Sequence, residues 1–329
     1  MTDPSRRPVP HRVLLCETCG APLTSPWDHL AIVCTACGSH NVPGRGVVPA
    51  YVPADGRPRV NLGGRTWVIE GRLATGDSSV VYRARWASRL GEAAVIKIQA
   101  NPHDADLLRG EWEVLRALRS SPVAGAAHFL SRLPNGIAAG LIDTDAPRFA
   151  AVYGWRSGFV HTLREVGERH PAGVPGPAMV WLLKRLLEVL GFVHRSGVVH
   201  GAVTPDHVLV HPRDHGATLV GWTSATTGSP PPARPAAWLR LYDGLPEGPA
   251  RDVAMACRCV EAVGGWHLPG ARRDRAIDAV LREGAAGRSA DAWALAEALT
   301  AASRAAYGPP AYHPLTMPGW AIGGPNGLR

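Results

Sequence analysis

The chain has 329 residues, 46% of them apolar and 19% charged, which is a globular composition and excludes an intrinsically disordered chain. No apolar run reaches the ~18 residues a membrane helix needs, and the polar start MTDPSRRPVPH carries no secretory apolar region. These features predict a cytoplasmic protein with reduced cysteines and no membrane partner. The net charge of +8 is spread along the chain without any basic run, which argues against a phosphate-tracking nucleic-acid surface.

Residues 1–42 hold four of the six cysteines. Cys16-x2-Cys19 and Cys34-x2-Cys37 form two thiolate hooks, and Gly20 and Gly38 follow them where a tight turn tolerates positive φ. Two hooks supply the four tetrahedral sulfur ligands that Zn²⁺ prefers, so the spacing predicts a four-cysteine zinc ribbon. A redox dithiol pair or an iron centre would use the same hooks. A closed four-sulfur shell leaves no position for substrate, so the metal is expected to be structural and to supply folding energy for a segment without a core of its own. Arg12 stands against Glu17 and Asp28 here, a balance that suits a protein partner better than a nucleic acid.

Residues 43–64 are rich in Pro and Gly and read as a linker or strap. Beyond them, Thr66–Ile69, Val80–Arg85 and Ala93–Ile98 read as three successive strands, and 104–119 turns helical with Leu107, Leu108, Trp112, Leu115 and Leu118 on one side. The strand Phe149–Tyr153 leads to Gly154–Gly158, a hinge between lobes. Met179–His194 is a long helix whose apolar arc is wide enough to place it at the centre of a lobe. Two further helices are predicted over 274–283 and 290–303, the second capped by Ser289. Cys257 and Cys259 lie two apart on a helical stretch and are expected to pack in the core. Residues 305–329 are again rich in Pro and Gly but carry Tyr312, Met317, Trp320 and Ile322, which suit either packing back onto the domain or filling a partner's groove.

Four stretches of residues 65–304 carry a resemblance. Leu73–Ala84 (LATGDSSVVYRA) looks like a glycine-rich strand–turn–strand, and Ala94-Val-Ile-Lys97 matches a V-A-I-K strand motif. Glu111 falls where a first long helix would offer a glutamate to that lysine, and Val193–His200 (VHRSGVVH) reads like a central helix entering a catalytic loop. Over about 240 residues the chain resembles the protein kinase superfamily. The resemblance implies an α+β, bilobal fold preceded by the zinc ribbon. Its N-lobe, with five strands, would span 65–153, its hinge 154–158 and its C-lobe 159–304, with 305–329 as a tail. Arginine outnumbers lysine 33 to 2, and with abundant Ala, Gly and Pro this points to a GC-rich bacterial genome. One of the two lysines is Lys97, which suggests that a compact ammonium matters at that position.

The parts that perform chemistry depart from the family pattern. The loop His200–His207 reads HGAVTPDH, so Ala202 stands at the catalytic aspartate position, Thr204 at the phosphate-facing lysine and His207 at the metal-binding asparagine. Leu219–Thr223 (LVGWT) puts Gly221 where the family's aspartate holds Mg²⁺, and Ala74, Gly76 and Ser79 occupy the three glycine positions of the phosphate lid. Phosphoryl transfer depends on the metal clamp and an aligned base. The resemblance therefore implies a pseudokinase, with no catalytic residue and no Mg²⁺, acting as a scaffold or allosteric regulator through protein partners. Gly76, Lys97 and Glu111 would still admit ATP or another nucleotide, which gives the alternative of an Mg²⁺-independent nucleotide switch; an atypical Ser/Thr kinase would need substitute ligands. His200, Trp222 and Leu115 match spine positions, Asp252 the buried helix aspartate behind the catalytic loop, and Arg288 a late structural arginine. Residues 228–234 are too short for an ordinary activation segment. Asp206 is expected to cap local backbone, and the histidines 194, 200, 207, 211 and 215 to serve structure and not a second metal.

Overall fold

The computed structural model describes residues 57–142, 147–227, 242, 244–264, 274–313 and 315–317, together with the backbone of four short strands nearer the N-terminus. Those strands form two antiparallel pairs. β1 (Leu14–Leu15) pairs with β2 (Pro22–Leu23), and β3 (Ile32–Val33) pairs with β4 (His40–Asn41).

The first lobe is a six-stranded antiparallel sheet, one strand more than expected. β5 (Arg59–Leu62) lies at the end of the Pro/Gly-rich stretch read as a strap, and pairs with β6 (Arg65–Thr75). Gly63 and Gly64, at φ of 63° and 69°, make the two-residue turn between them, a backbone that only glycine adopts without cost. β7 (Ser79–Trp86), β8 (Arg89–Gln99), β9 (Gly136–Ile142) and β10 (Arg148–Gly154) complete the order β5-β6-β7-β8-β10-β9. The sheet curls until its edges approach, and a Cβ on Gly63 would overlap the Ala138 side chain. Trp67, Ala84, Ala94, Ile96, Ala150 and Val152 form its interior. Between β8 and β9 run α1 (Ala105–Arg119) and the short α2 (Ala126–Leu130). α1 buries Leu108, Glu111, Val114, Leu115 and Leu118 on one face, close to the predicted stripe.

The second lobe is built on α4 (Gly176–Arg195), which follows β11 (His161–Thr162) and α3 (Leu163–Arg169). Leu182, Leu183, Leu186, Leu187, Leu190 and Val193 of α4 are all inaccessible to within 1%. At about 1.5–3 kcal/mol per fully buried aliphatic side chain, this helix is the largest single contributor to the core. β12 (Val208–His211) and β13 (Gly216–Leu219) form a small sheet with β11. α5 (Pro249–Val263), α6 (Arg275–Ala285) and α7 (Ala292–Tyr307) close the lobe. No described helix is long and apolar enough to cross a membrane.

Three local expectations change. The cap of α7 is Asp291, whose carboxylate accepts from the N–H groups of Trp293 and Ala294, while Ser289 lies outside the helix. Arg288 is exposed, and no ion pair holds it among the described residues. The tail is settled over its described part: Leu315 enters the main core, and Tyr312 and Trp181 sandwich the His215 ring at 4.5 and 4.4 Å. Cys257 and Cys259 pack as expected, and burial pushes both thiols up to about 12.

Candidate functional site

Three elements converge beneath the sheet. Lys97 stands on β8 opposite Ala151 of β10, and Tyr153, two residues further along β10, points to the same face. Glu111 comes from the buried stripe of α1. Lys97 Nζ lies 2.5 Å from Glu111 Oε2, and the Tyr153 hydroxyl donates to Glu111 Oε1 at 3.1 Å. Burial and the adjacent Glu111 charge raise the Tyr153 hydroxyl well above its usual value, so it stays a donor. The structure thus brings together the lysine and glutamate anticipated from sequence. Tyr153 reads from sequence only as a strand end; the signal for its role is the two-residue offset from Ala151, visible once the β8–β10 register is known.

The turn above this strut is short. Gly76 N–H donates to the Ser79 carbonyl at 2.8 Å, and Ala100 N–H, at the end of β8, donates to the Ser78 carbonyl at 2.9 Å. Asp77 sits between them at the tip. A carboxylate there repels phosphate, in a turn whose Gly76 N–H is already committed.

On the C-lobe side, Asp252 of α5 is completely buried and accepts three hydrogen bonds. They come from the backbone N–H groups of His200 (2.7 Å) and Gly201 (2.8 Å) and from His194 Nε2 (3.0 Å). His200 donates from Nε2 to the Val220 carbonyl at 3.2 Å, while its Nδ1 accepts from Ala202 N–H at 3.2 Å. Burial lowers its pKa to about 4, which keeps the ring neutral with these two roles fixed. Its ring meets Trp222 edge-on at 4.3 Å, and Leu115 belongs to the same core. The architectural positions anticipated from sequence are therefore joined in one assembly, Arg288 excepted.

The positions that match the family's catalytic and metal-binding residues hold a different set. Ala202 is buried and offers no side-chain acceptor. His207 donates from Nδ1 to the Ala202 carbonyl at 2.8 Å, and its ring lies flush against Gly221. Gly221 has φ 75°, and a Cβ added there would overlap His207 Cδ2. Burial, first, and the nearby Lys97 charge lower the His207 pKa, so a neutral imidazole occupies this space within reach of the strut. Asp206 does not cap local backbone. It forms a two-pronged ion pair with Arg164 of α3, at 2.5 Å for each contact, and that partner holds its carboxyl below the usual range.

Mg²⁺ requires a near-octahedral shell of oxygens. The matching positions supply an alanine, an imidazole tied to backbone and a glycine. The two carboxylates beside them, Asp206 and Glu111, are each committed to a cation. The residues present do not fit that metal. Among the described residues no cluster of three or more His, Cys, Asp or Glu forms another metal site. Cys16, Cys19, Cys34 and Cys37 lie outside the described residues, as does the stretch 228–234. The strands do show that residues 16–21 connect β1 to β2, and residues 34–39 connect β3 to β4.

No family model and no curated protein matches the sequence. Solved structures do. The BubR1 kinase domain aligns over 76% of this chain and 83% of its own at a TM-score of 0.56 and 10% identity. Vaccinia related kinase 3 aligns over 79% of this chain and 95% of its own, at a TM-score of 0.56 and 17% identity. A curled sheet with an internal Lys97–Glu111 strut, a mainly helical second lobe and a loop held by Asp252 thus form a protein-kinase-like fold.

Proposed function

We propose that this protein is a catalytically inactive kinase-like scaffold or allosteric regulator that works by binding other proteins. The observation that carries this reading is the His207 ring seated against Gly221. At the two positions where a kinase fold would present oxygen ligands to Mg²⁺, an imidazole backed by the Ala202 carbonyl fills the space that the missing Gly221 side chain leaves. Without the clamp, and with Ala202 in place of a base, neither the γ-phosphate charge nor the attacking hydroxyl has a partner.

The N-terminal segment supports a binding role. Each C-x2-C-G motif falls in the connection between two antiparallel strands, an arrangement that suits the presentation of four sulfurs to one Zn²⁺. A structural zinc would stabilise a small docking module without taking part in chemistry. Metal analysis of the purified protein should find one zinc per chain, lost in Cys34→Ser; a metal-free chain of unchanged stability would remove the ribbon from this reading.

The intact strut favours one second reading. Lys97 and Glu111 keep the pairing that a kinase fold uses to hold nucleotide phosphates. A thermal titration with ATP, ADP and GTP, with and without Mg²⁺, separates the two. A ligand at ~100 times its Kd stabilises by about 2.7 kcal/mol, which a melting curve resolves. The scaffold reading expects no shift. A shift that needs Lys97 and not Mg²⁺ would make the protein a nucleotide switch, and Mg²⁺-dependent phosphate transfer abolished in Lys97→Met would overturn both.

A further inference from the structure

Behind the hinge, on a surface distinct from the Lys97 cleft, lies a recess of about 330 Å³ whose lining includes Arg119, Leu130, Leu133, Asn135, Trp155 and Arg156. Its walls come from the end of α1, the connection to β9 and the first hinge residues.

Three donor atoms of the residues that line this recess have no acceptor. Arg119 Nε, Trp155 Nε1 and Arg156 Nη1 are all buried, and none has a hydrogen-bond partner. Arg119 spends one terminal nitrogen on the Pro134 carbonyl at 3.1 Å, and Arg156 rests over the Phe159 ring at 4.6 Å. Neither guanidinium has an ion pair among the described residues. The neighbouring Arg132 does not relieve them, because its own partner, Glu188, is shared with Arg185 at 2.7 and 2.8 Å. No lining residue is a carboxylate. Burial, then the charges of Arg132 and Arg119, lower the Arg156 pKa from its ordinary value, the response of a cation crowded by like charges.

A buried donor without an acceptor destabilises the fold, and a charged one does so more strongly. Two guanidiniums that lack an ion pair beside one recess repel each other, and an oxyanion that enters relieves that repulsion. Guanidinium forks suit planar or tetrahedral oxyanions, which they grip through paired N–H groups. Leu130, Leu133 and Trp155 supply the apolar part of the lining. We propose that this recess binds a small organic anion, its carboxylate or phosphate taken by Arg119 and Arg156 and its body set against Leu130, Leu133 and Trp155. Gly154 and Trp155 also line a second recess of about 370 Å³ on the β7–β8 side of the hinge. Trp155 N–H is tied to the Ala93 carbonyl at 3.2 Å. A ligand held at Trp155 and Arg156 would therefore brace the hinge itself.

Calorimetric titration of the full chain, in buffer free of phosphate and sulfate, tests the proposal with three probes: phenyl phosphate, phenylacetate and inorganic phosphate. The expected result is saturable one-to-one binding of at least one aromatic probe, stronger than that of inorganic phosphate. Which aromatic probe wins distinguishes phosphate from carboxylate ligands. Arg119→Gln and Arg156→Gln should each weaken binding at least tenfold, and Arg156→Lys, which keeps the charge but loses the fork, should fall between. Arg72→Gln, on the exposed end of β6, should bind as the parent does. Absence of saturable binding by every probe would overturn the proposal. So would binding that survives both Arg119→Gln and Arg156→Gln, or weakening by Arg72→Gln as large as theirs, which would reduce the effect to overall charge.

Discussion

The strut under the sheet and the loop opposite it are built on opposite plans. In the strut the buried side chains are themselves the structural members: Lys97, Glu111 and Tyr153 satisfy one another. In the loop, the structure is held from behind. Asp252, backed by His194, and the His200 ring fix the backbone of residues 200–202; of the positions that match the family's chemistry, Ala202 and Gly221 add no side-chain bond and His207 adds one, to the Ala202 carbonyl. Scaffold and chemistry are thus separable in the loop and inseparable in the strut. The loop can lose its acceptors and metal ligands without losing its shape, whereas any change in the strut is felt by the fold.

The sharpest way to break this comparison is to attack the loop from behind. Asp252→Ala would leave two backbone N–H groups and a histidine N–H buried without acceptors. At about 1–3 kcal/mol each, the expected loss is about 5 kcal/mol, read as the midpoint shift in a urea denaturation series. A loss below about 1 kcal/mol would mean that the loop holds itself. The strut should respond nearly as strongly. Lys97→Met strands a buried carboxylate, for which removal of one partner costs about 3–5 kcal/mol, softened here because Tyr153 still donates to Glu111. A double change with Glu111→Gln should recover much of that loss; no recovery would show the two residues acting independently.

Much of this plan is legible in the chain, and the parts that are not share a cause. The apolar arc of α4 and the V-A-I-K strand are local patterns, and both appear where their periodicity puts them. The Lys97–Glu111 pairing is legible only through the resemblance. β5 escapes notice because RVNL is short and sits among prolines and glycines, although Gly63-Gly64 between two potential strands is a readable turn signal. Ser289 and Asp291 are both good cap residues, and only the backbone decides which is used. The Arg164–Asp206 pair spans 42 residues, and the tail's docking depends on the Trp181–His215 surface of a folded C-lobe. Neither leaves any local trace. The recess beside Arg119 and Arg156 is harder still, since its lining comes from several separate stretches of chain.

The subtlest expected effect lies where the two plans meet, at His207 and Gly221. If the imidazole occupies its place because Gly221 leaves room for it, the two positions are coupled. Gly221→Ala alone should destabilise for two reasons, the overlap with His207 Cδ2 and the positive φ, which costs an L-residue about 1–2 kcal/mol. His207→Ala alone loses the bond to the Ala202 carbonyl and the packing of its ring. In the double variant the overlap disappears while the φ cost stays, so the pair should be less destabilised than the sum of the singles by about 2 kcal/mol, within the range seen for contacting residues. Additive singles would mean that the ring can move aside at no cost, and that the space between His207 and Gly221 is open to another occupant. The measured coupling therefore reports directly on whether the imidazole is a fixed plug or a movable one, which is the physical question on which the non-catalytic reading rests.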